Sequence, residues 1–214
     1  MIKTIHFRIG ALQMNDKSYP AITTQKKTGK EPFLNSGVGV QKTLYDFWAW
    51  AFSELVGNTE RGKLAEYIVA LAIGSADGIS PSWQSYDLIT PDGIRIEVKS
   101  SAYVQTWEQK ELSKISFGIS PTHAWDSEKN IYDNSIVRQA DVYVFCILKH
   151  VEQETLNPLD INQWEFYTLS TDVLNEKANN QKTINLNRVV SLGAVKSDFA
   201  GLEQAIKHQG RLNC

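Results

Sequence analysis

Apolar residues recur at helical spacing in two segments that lie before the middle of the chain. Residues 43–56 (TLYDFWAWAFSELV) space large apolar side chains as in a helix that is buried over much of its surface, and Gly57 is expected to end it. Residues 58–74 (NTERGKLAEYIVALAIG) predict a second helix that stops at Gly74. Two helices therefore precede the first predicted strands of the core.

The rest of the chain contains mainly strand patterns. Residues 140–150 (ADVYVFCILKH) form a nearly unbroken β-branched and aromatic run, which is typical of a strand buried on both faces. Residues 163–170 (QWEFYTLS) alternate like a more peripheral strand. Shorter patterns predict helices at 106–115, 171–177 and 197–208 and a strand at 183–190. This order predicts an α/β protein with a mixed central β-sheet flanked by helices.

Length and charge favour one folded domain with a basic arm. The 214 residues are 42% hydrophobic, which suffices for one sizeable core. Residues 1–40 carry six Lys or Arg against two acidic residues and are interpreted as a partly irregular arm, with residues 41–214 as the domain. The arm could follow a phosphate backbone, exchange with the second subunit of a homodimer or lie free in solvent.

Other features of the composition narrow the class of protein. The net charge of −2 argues against a protein that coats nucleic acid through bulk positive charge. The sequence has no long apolar run and no signal peptide at its start, so we expect a soluble cytoplasmic protein without a membrane partner. Its two cysteines, Cys146 and Cys214, form neither a disulfide framework nor a zinc pattern.

Residues 86–101 (YDLITPDGIRIEVKSS) predict a β-hairpin whose register is set by its turn. Pro91, Asp92 and Gly93 match a three-residue loop, which pairs Thr90 with Ile94. The same register pairs Asp87 with Glu97 and sorts the strands into two faces. The apolar face comprises Tyr86, Leu88, Ile94, Ile96 and Val98, and the opposite face carries Asp87, Glu97 and Lys99.

Two carboxylates that face each other on a sheet repel unless a cation or a proton lies between them. Lys99 could supply part of this compensation, and a divalent metal would supply more. Carboxylate oxygens, together with the carbonyl oxygen of Val98, suit Mg²⁺ or Mn²⁺ rather than zinc. A charged and solvated strand face would explain the same side chains without a metal, and hairpin geometry alone leaves both interpretations open.

The hairpin resembles the motif of the PD-(D/E)XK nuclease superfamily. In that motif an acidic residue on one strand is followed by (D/E)-X-K on the next, which corresponds here to Asp87 and the Glu97-Val98-Lys99 tripeptide. Tyr86 stands where the family has proline. A glutamate-bearing helix and, in some branches, a glutamine beyond the lysine correspond to Glu66 and Gln105. The resemblance spans about residues 64–148 and implies a restriction-endonuclease-like αβββαβ core.

The resemblance implies a Mg²⁺- or Mn²⁺-dependent DNA endonuclease of a restriction, defence or repair type. Asp87, Glu97 and Glu66 would bind the metal with the Val98 carbonyl group, Lys99 would orient or activate the attacking water, and Gln105 would position substrate or water. A catalytically silent nuclease-fold module that binds DNA or protein within a larger complex is the alternative. An unrelated α/β enzyme has no support, because the chain lacks a phosphate-binding glycine loop, a G-x-S-x-G motif and a zinc pattern.

Several candidate residues also have a purely structural interpretation. Glu66 could pair with Lys63 or Arg61, and Gln105 could serve a turn. His123 is expected to be structural or exposed. Four aromatic residues could stack on nucleic-acid bases but are favoured as core or loop-anchoring residues: Trp83, Tyr103, Trp107 and Trp125.

Overall fold

The computed structural model describes residues 19, 22–80, 82, 84–126 and 131–211. Trp83, the side chain of Trp125, Cys214 and much of the basic arm lie outside the described residues. The strands are β1 (Pro32–Asn35), β2 (Val38–Thr43), β3 (Leu88–Ile89), β4 (Arg95–Ala102), β5 (Ser116–Gly118), β6 (Thr122–Asp126), β7 (Ile131–Val137), β8 (Val142–Leu148), β9 (Trp164–Ser170), β10 (Thr183–Asn185) and β11 (Val195–Ser197). The helices are α1 (Leu44–Ala51), α2 (Asn58–Ala72), α3 (Thr171–Lys177), α4 (Leu186–Ser191) and α5 (Leu202–Gly210).

A five-stranded mixed sheet in the order β11-β9-β8-β4-β3 forms the centre of the fold. Strands β4 and β8 run parallel, and the other neighbouring pairs are antiparallel. This arrangement confirms the predicted mixed sheet in an α/β protein. The restriction-endonuclease-like core is a finer assignment and stays a prediction.

Strand β8 is buried along its whole length, as its unbroken apolar sequence predicts. One of its faces packs with α2 and α5, and the other packs with β5, β10, α3 and α4. Alternate side chains of β8 join the two clusters: Val144 and Cys146 lie in the first, and Phe145 and Ile147 lie in the second. The prediction that β9 is peripheral was wrong, because β11 pairs with its outer edge and β9 is also buried.

The β3–β4 hairpin has the predicted register at its tip. Leu88 pairs with Ile96, and the turn ends at Gly93, whose φ of +92° glycine tolerates. The ladder stops at Leu88, since the Asp87 N–H donates to the Ile96 carbonyl at 3.0 Å. Asp87 and Glu97 are therefore not a regular ladder pair, which corrects the sequence prediction. The apolar residues predicted for the core face are buried or half-buried: Tyr86, Leu88, Ile94, Ile96 and Val98.

Helix α1 differs most from its sequence prediction. It ends at Ala51 and has no buried residue, although its aromatic sequence predicted a core helix. Gly57 does not terminate it with a left-handed conformation, because Gly57 has a φ of −55° and caps the start of α2. The helix packs beside the β1–β2 hairpin at the outside of the fold instead of under the sheet.

Residues 106–115 form no helix, which contradicts their prediction. The side chain of Gln109 organises this segment by hydrogen bonds to the backbone. It accepts from the Gln105 N–H at 2.7 Å and donates to the Tyr103 carbonyl at 3.1 Å. Such side-chain bonds satisfy backbone groups that a helix would otherwise pair.

Other local boundaries also shift from the sequence prediction. The final helix begins at Leu202 rather than near residue 197, because Val195–Ser197 pairs with β9. Residues 183–190, predicted as one strand, divide between β10 and α4, and β6 pairs with β7. The helix at Thr171–Lys177 is confirmed with its predicted bounds.

The β1–β2 hairpin crosses residue 40, and the division of the chain at that residue stays a prediction. All four residues of β1 are exposed. Among the described residues, no helix is long and apolar enough to cross a membrane.

Candidate active site

The candidate site lies where helix α2 packs against the β3–β4 hairpin. The helix lies close to β4 at Gly62, where a Cβ atom would make an ordinary contact of 4.0 Å with Ser100 Oγ. The packing buries Glu66 near the hairpin, so that burial raises the pKa of Glu66 and the negative charge of Asp87 raises it further. Burial also raises the pKa of Glu97, and the charges of Asp87 and Glu66 add to this effect. The structure therefore gathers the three predicted carboxylates in one electrostatic cluster.

Asp87 is fixed against strand β4 by its own carboxylate. Its Oδ2 atom accepts a hydrogen bond of 2.7 Å from the Val98 N–H. The Val98 side chain is buried in the core. The backbone of the E-V-K tripeptide thus lies directly beside the first acidic residue of the motif, as the resemblance requires.

Glu97 and Lys99 form an ion pair on strand β4. Glu97 Oε1 lies 2.5 Å from Lys99 Nζ, and both side chains are half-buried. Burial is the main cause that raises the pKa of Glu97, and the charge of Asp87 adds to it. Lys99 opposes both effects but does not overcome them. The fold therefore disfavours the charged form of Glu97.

Glu66 faces a lysine of its own helix. Its Oε2 atom lies 2.5 Å from Lys63 Nζ, which is one of the pairs that the structural interpretation of Glu66 expected. A metal-binding role for Glu66 stays a prediction. Lys63 Nζ also donates to Ser80 Oγ at 3.1 Å, whereas the Arg61 guanidinium bonds to the Val56 carbonyl. Burial raises the pKa of Glu66 in spite of Lys63.

Gln105 is engaged in the turn that follows strand β4. Its Nε2 atom donates to the Ala102 carbonyl at 2.9 Å, and its Oε1 atom accepts from Arg61 Nη1 at 3.4 Å. These bonds give Gln105 a structural task. A role in positioning substrate or water stays a prediction.

The carboxylates are not arranged as a preformed metal centre. Among the described residues, no group of three histidine, cysteine, aspartate or glutamate side chains could hold one ion. Each acid instead bonds to its own donor: Asp87 to the Val98 N–H, Glu97 to Lys99 and Glu66 to Lys63.

The structure adds residues that the sequence patterns missed. A cleft of about 970 Å³ is lined by Glu66 and Asp87 and by three aromatic residues: Trp48, Phe52 and Tyr67. The aromatic spacing of α1 was the available signal, but it also fits a core helix. Tyr143 is a further addition, because it pairs with Glu97 in the β4–β8 register. Burial is the main cause that raises the pKa of Tyr143, and the charge of Glu97 is the second.

The aromatic and histidine candidates that the structure describes are Tyr103, Trp107 and His123. Tyr103 packs against the second core cluster, and Trp107 is exposed. His123 is exposed on β6.

Comparison with known families assigns the chain to a class of nuclease. The family model for bacteriophage T4 endonuclease IV matches residues 49–188, which are more than half of the sequence. The chain belongs to this family. The matched segment contains every predicted site residue, namely Glu66, Asp87, Glu97, Val98, Lys99 and Gln105. A search of the curated proteins gave no match.

Proposed function

We propose that this chain is a divalent-metal-dependent endonuclease that hydrolyses phosphodiester bonds in DNA. The observation that carries the proposal is the position of Asp87 beside the Glu97-Val98-Lys99 tripeptide, where its carboxylate accepts from the Val98 N–H at 2.7 Å. Lys99 pairs with Glu97 on the same strand, and Glu66 lines the same cleft as Asp87. Membership of a family named for an endonuclease supports the reaction class. Asp87, Glu97, Glu66 and the Val98 carbonyl oxygen would hold the metal.

The chemistry of these donors fits Mg²⁺ or Mn²⁺. All of them are hard oxygen ligands, which these ions prefer. Burial and the neighbouring acids raise the pKa values of Glu66 and Glu97, and a divalent cation at these side chains would stabilise their charged forms. Glu97 and Glu66 would exchange their lysine contacts for the cation.

The residues of the chain have separate tasks in this proposal. When bound, the cation would polarise the scissile phosphate and lower the pKa of a water molecule. Lys99, once free of Glu97, would orient the attacking water or oppose the negative charge that grows on the phosphate oxygens. Lys63 would neutralise negative charge beside Glu66.

The PD-(D/E)XK relationship belongs to the same proposal. It is supported by the succession of α2, the β3–β4 hairpin and the buried strand β8 parallel to β4. A restriction, defence or repair role, a cytoplasmic location and a homodimer are expectations from the sequence that no structural observation tests.

A cleavage assay with single-stranded and duplex DNA tests the proposal. We expect cleavage in Mg²⁺ or Mn²⁺, none in EDTA, and loss of cleavage in Asp87→Ala, Glu97→Ala and Lys99→Ala. Glu165→Ala is the matched control, because Glu165 is also a half-buried acid paired with a lysine on a strand of the sheet. Cleavage that survives the three substitutions at the hairpin would contradict the proposal.

A catalytically silent nuclease-fold module is the second candidate. The pairing of Glu66 and Glu97 with lysines, instead of a preformed metal centre, favours it. Calorimetry with Mn²⁺ separates the two. Binding that is lost in Glu97→Gln supports the enzyme, and a protein that binds DNA but no Mn²⁺ supports the module.

A further inference from the structure

The cleft beside the candidate active site combines acidic, aromatic and basic walls. Its volume of about 970 Å³ lies at the upper end of the range for ligand sites. Helix α1 and its C-cap residue contribute Trp48 and Phe52, and helix α2 contributes Tyr67. Asp87 also lines the cleft, directly before strand β3. Large aromatic surfaces that remain open to solvent in a cleft are typical of a binding site.

Trp48 is held in place although 37% of its surface is exposed. Its indole ring lies against Gly29, where a Cβ atom would be 3.0 Å from Trp48 Cζ3. Gly29 is fixed in turn, since its carbonyl accepts from the Tyr45 N–H at 2.9 Å and its N–H donates to Glu31 Oε2 at 3.0 Å. The positive φ of Gly29, +87°, suits glycine alone. An indole fixed in this way needs little ordering on binding.

Two lysines add positive charge to the same cleft. Lys26 lines it and donates through its Nζ atom to the Asp77 carbonyl oxygen at 2.7 Å, and Lys63 lies beside Glu66. Aromatic faces combined with lysines complement a nucleic-acid strand, because bases stack on the rings and phosphates pair with the cations.

We propose that Trp48 stacks on one nucleobase of the DNA strand whose phosphate lies at Asp87 and Glu97, with Tyr67 as a second wall. This inference rests on the proposed function, because it places the reacting phosphate at the acidic end of the cleft. The indole face accepts any base, so Trp48 supplies affinity and position rather than sequence choice. Trp48 is a substrate-positioning residue in this account.

Fluorescence anisotropy with a fluorescein-labelled single-stranded oligonucleotide tests the inference. Ca²⁺ replaces Mg²⁺ so that binding is measured without cleavage. We expect Trp48→Ala to weaken binding about tenfold or more and Trp48→Phe to restore most of it. Tyr67→Ala, a change at an exposed position, should also weaken binding and serves if Trp48→Ala does not fold.

Trp50→Ala is the matched control. Trp50 lies on the same helix but two residues further, on another face, and is 83% exposed. Its replacement should change the affinity less than twofold. Equal losses for Trp48→Ala and Trp50→Ala, or no loss for Trp48→Ala and Tyr67→Ala, would overturn the inference. A dimer that dissociates in Trp48→Ala while DNA binding is unchanged would also overturn it and would identify a second copy as the occupant.

An oligonucleotide series with one abasic nucleotide at each position in turn locates the stacked base. At the position of the stacked base, the abasic nucleotide should weaken binding by the wild type but should not weaken binding by Trp48→Ala any further. If the losses caused by the abasic nucleotide and by Trp48→Ala add up at every position, the result contradicts stacking. This result is independent of the catalytic proposal. If Trp48→Ala binds DNA normally and cleavage needs Asp87, only the stacking is rejected. If Trp48→Ala binds DNA weakly and cleavage does not need Asp87, only the catalytic centre is rejected.

Discussion

Glu97 is held in an environment that disfavours its charge. Burial and the neighbouring Asp87 raise its pKa, and Lys99 compensates only in part. A charged group that the fold destabilises is common at functional sites, where stability is given up for chemistry. Glu165 provides a contrast, because its burial is outweighed by its contacts with Lys196, Tyr167 and Lys149 together, which lower its pKa.

We therefore predict that Glu97→Gln stabilises the protein when no divalent cation is present. Removal of the charge relieves the unfavourable burial and the repulsion from Asp87, and about 0.5–2 kcal/mol is typical of such a stabilising substitution. The check is thermal unfolding in EDTA at neutral pH. Glu165→Gln should lower the unfolding temperature, and a loss of stability in Glu97→Gln would contradict the electrostatic description of the site.

Individual site residues could be predicted where a local motif placed them. The Pro91-Asp92-Gly93 turn set the register that sends Val98 into the core and leaves Glu97 and Lys99 on the other face. The break of the ladder at Asp87 could not be predicted, because it depends on the Val98 N–H that the carboxylate captures. The bond between Lys63 and Ser80 joins a helix to a distant loop, and no sequence pattern indicates it.

At the scale of elements, the β3–β4 hairpin depends on its turn and on helix α5. Gly93 adopts a φ of +92° in open surroundings, so only the backbone conformation restricts it. Gly210, near the end of α5, packs on Ile94 of the hairpin, and a Cβ atom there would lie 2.7 Å from Ile94 Cδ1. The turn and the helix together fix the strands that carry the site.

Gly93→Ala should destabilise the protein by about 1 kcal/mol, because an L-residue is strained at this φ. Urea unfolding measures the change. Gly118→Ala is the control, since Gly118 also has open space around it but no positive φ. Equal effects of the two substitutions would argue against the conformation assigned to the turn.

Helix α1 begins at a capping box formed by Thr43 and Asp46. The Asp46 carboxylate accepts from the Thr43 N–H at 2.8 Å and from Lys42 Nζ at 3.0 Å. The Thr43 N–H bond is the main cause that lowers the pKa of Asp46 from 3.8 to about 2. This box positions the helix that presents Trp48.

Asp46 therefore contributes stability above its unfolded pKa of 3.8, and this contribution is lost as the pH falls toward about 2. Asp46→Ala should be less stable than the wild type near neutral pH, and the difference should shrink through that window. Urea unfolding followed by tryptophan fluorescence at several pH values provides the check. A difference that does not change with pH would contradict the capping role.

Elements were predictable where sequence and tertiary environment favour the same structure. The apolar run of β8 has one stable location, the interior of the sheet, and the cap and composition of α3 define a helix locally. Helix α1 was misjudged because aromatic residues serve a core and a cleft equally well. The helix expected at 106–115 was lost to the hydrogen bonds of Gln109.

At the scale of the whole molecule, the sheet brings together segments that are far apart in sequence. Strand β8 supports β4 from its parallel side, and α2 covers the first core cluster and carries Glu66 to the hairpin. Lys26, which precedes these elements in the sequence, lines the cleft that also contains Glu66 and Asp87. The homodimer stays a prediction that sedimentation velocity can test.

The proposed hydrolysis depends most directly on Lys99, which would act on the attacking water. The measurement is the initial rate of DNA cleavage in saturating Mg²⁺ for Lys99→Ala and for Lys196→Ala. The latter is a matched control, because Lys196 also pairs with a glutamate on a strand of the sheet, Glu165 at 2.9 Å. We predict a loss of about 100-fold or more for Lys99→Ala and less than twofold for Lys196→Ala. A Lys99→Ala protein that cleaves within twofold of the wild-type rate would contradict the account.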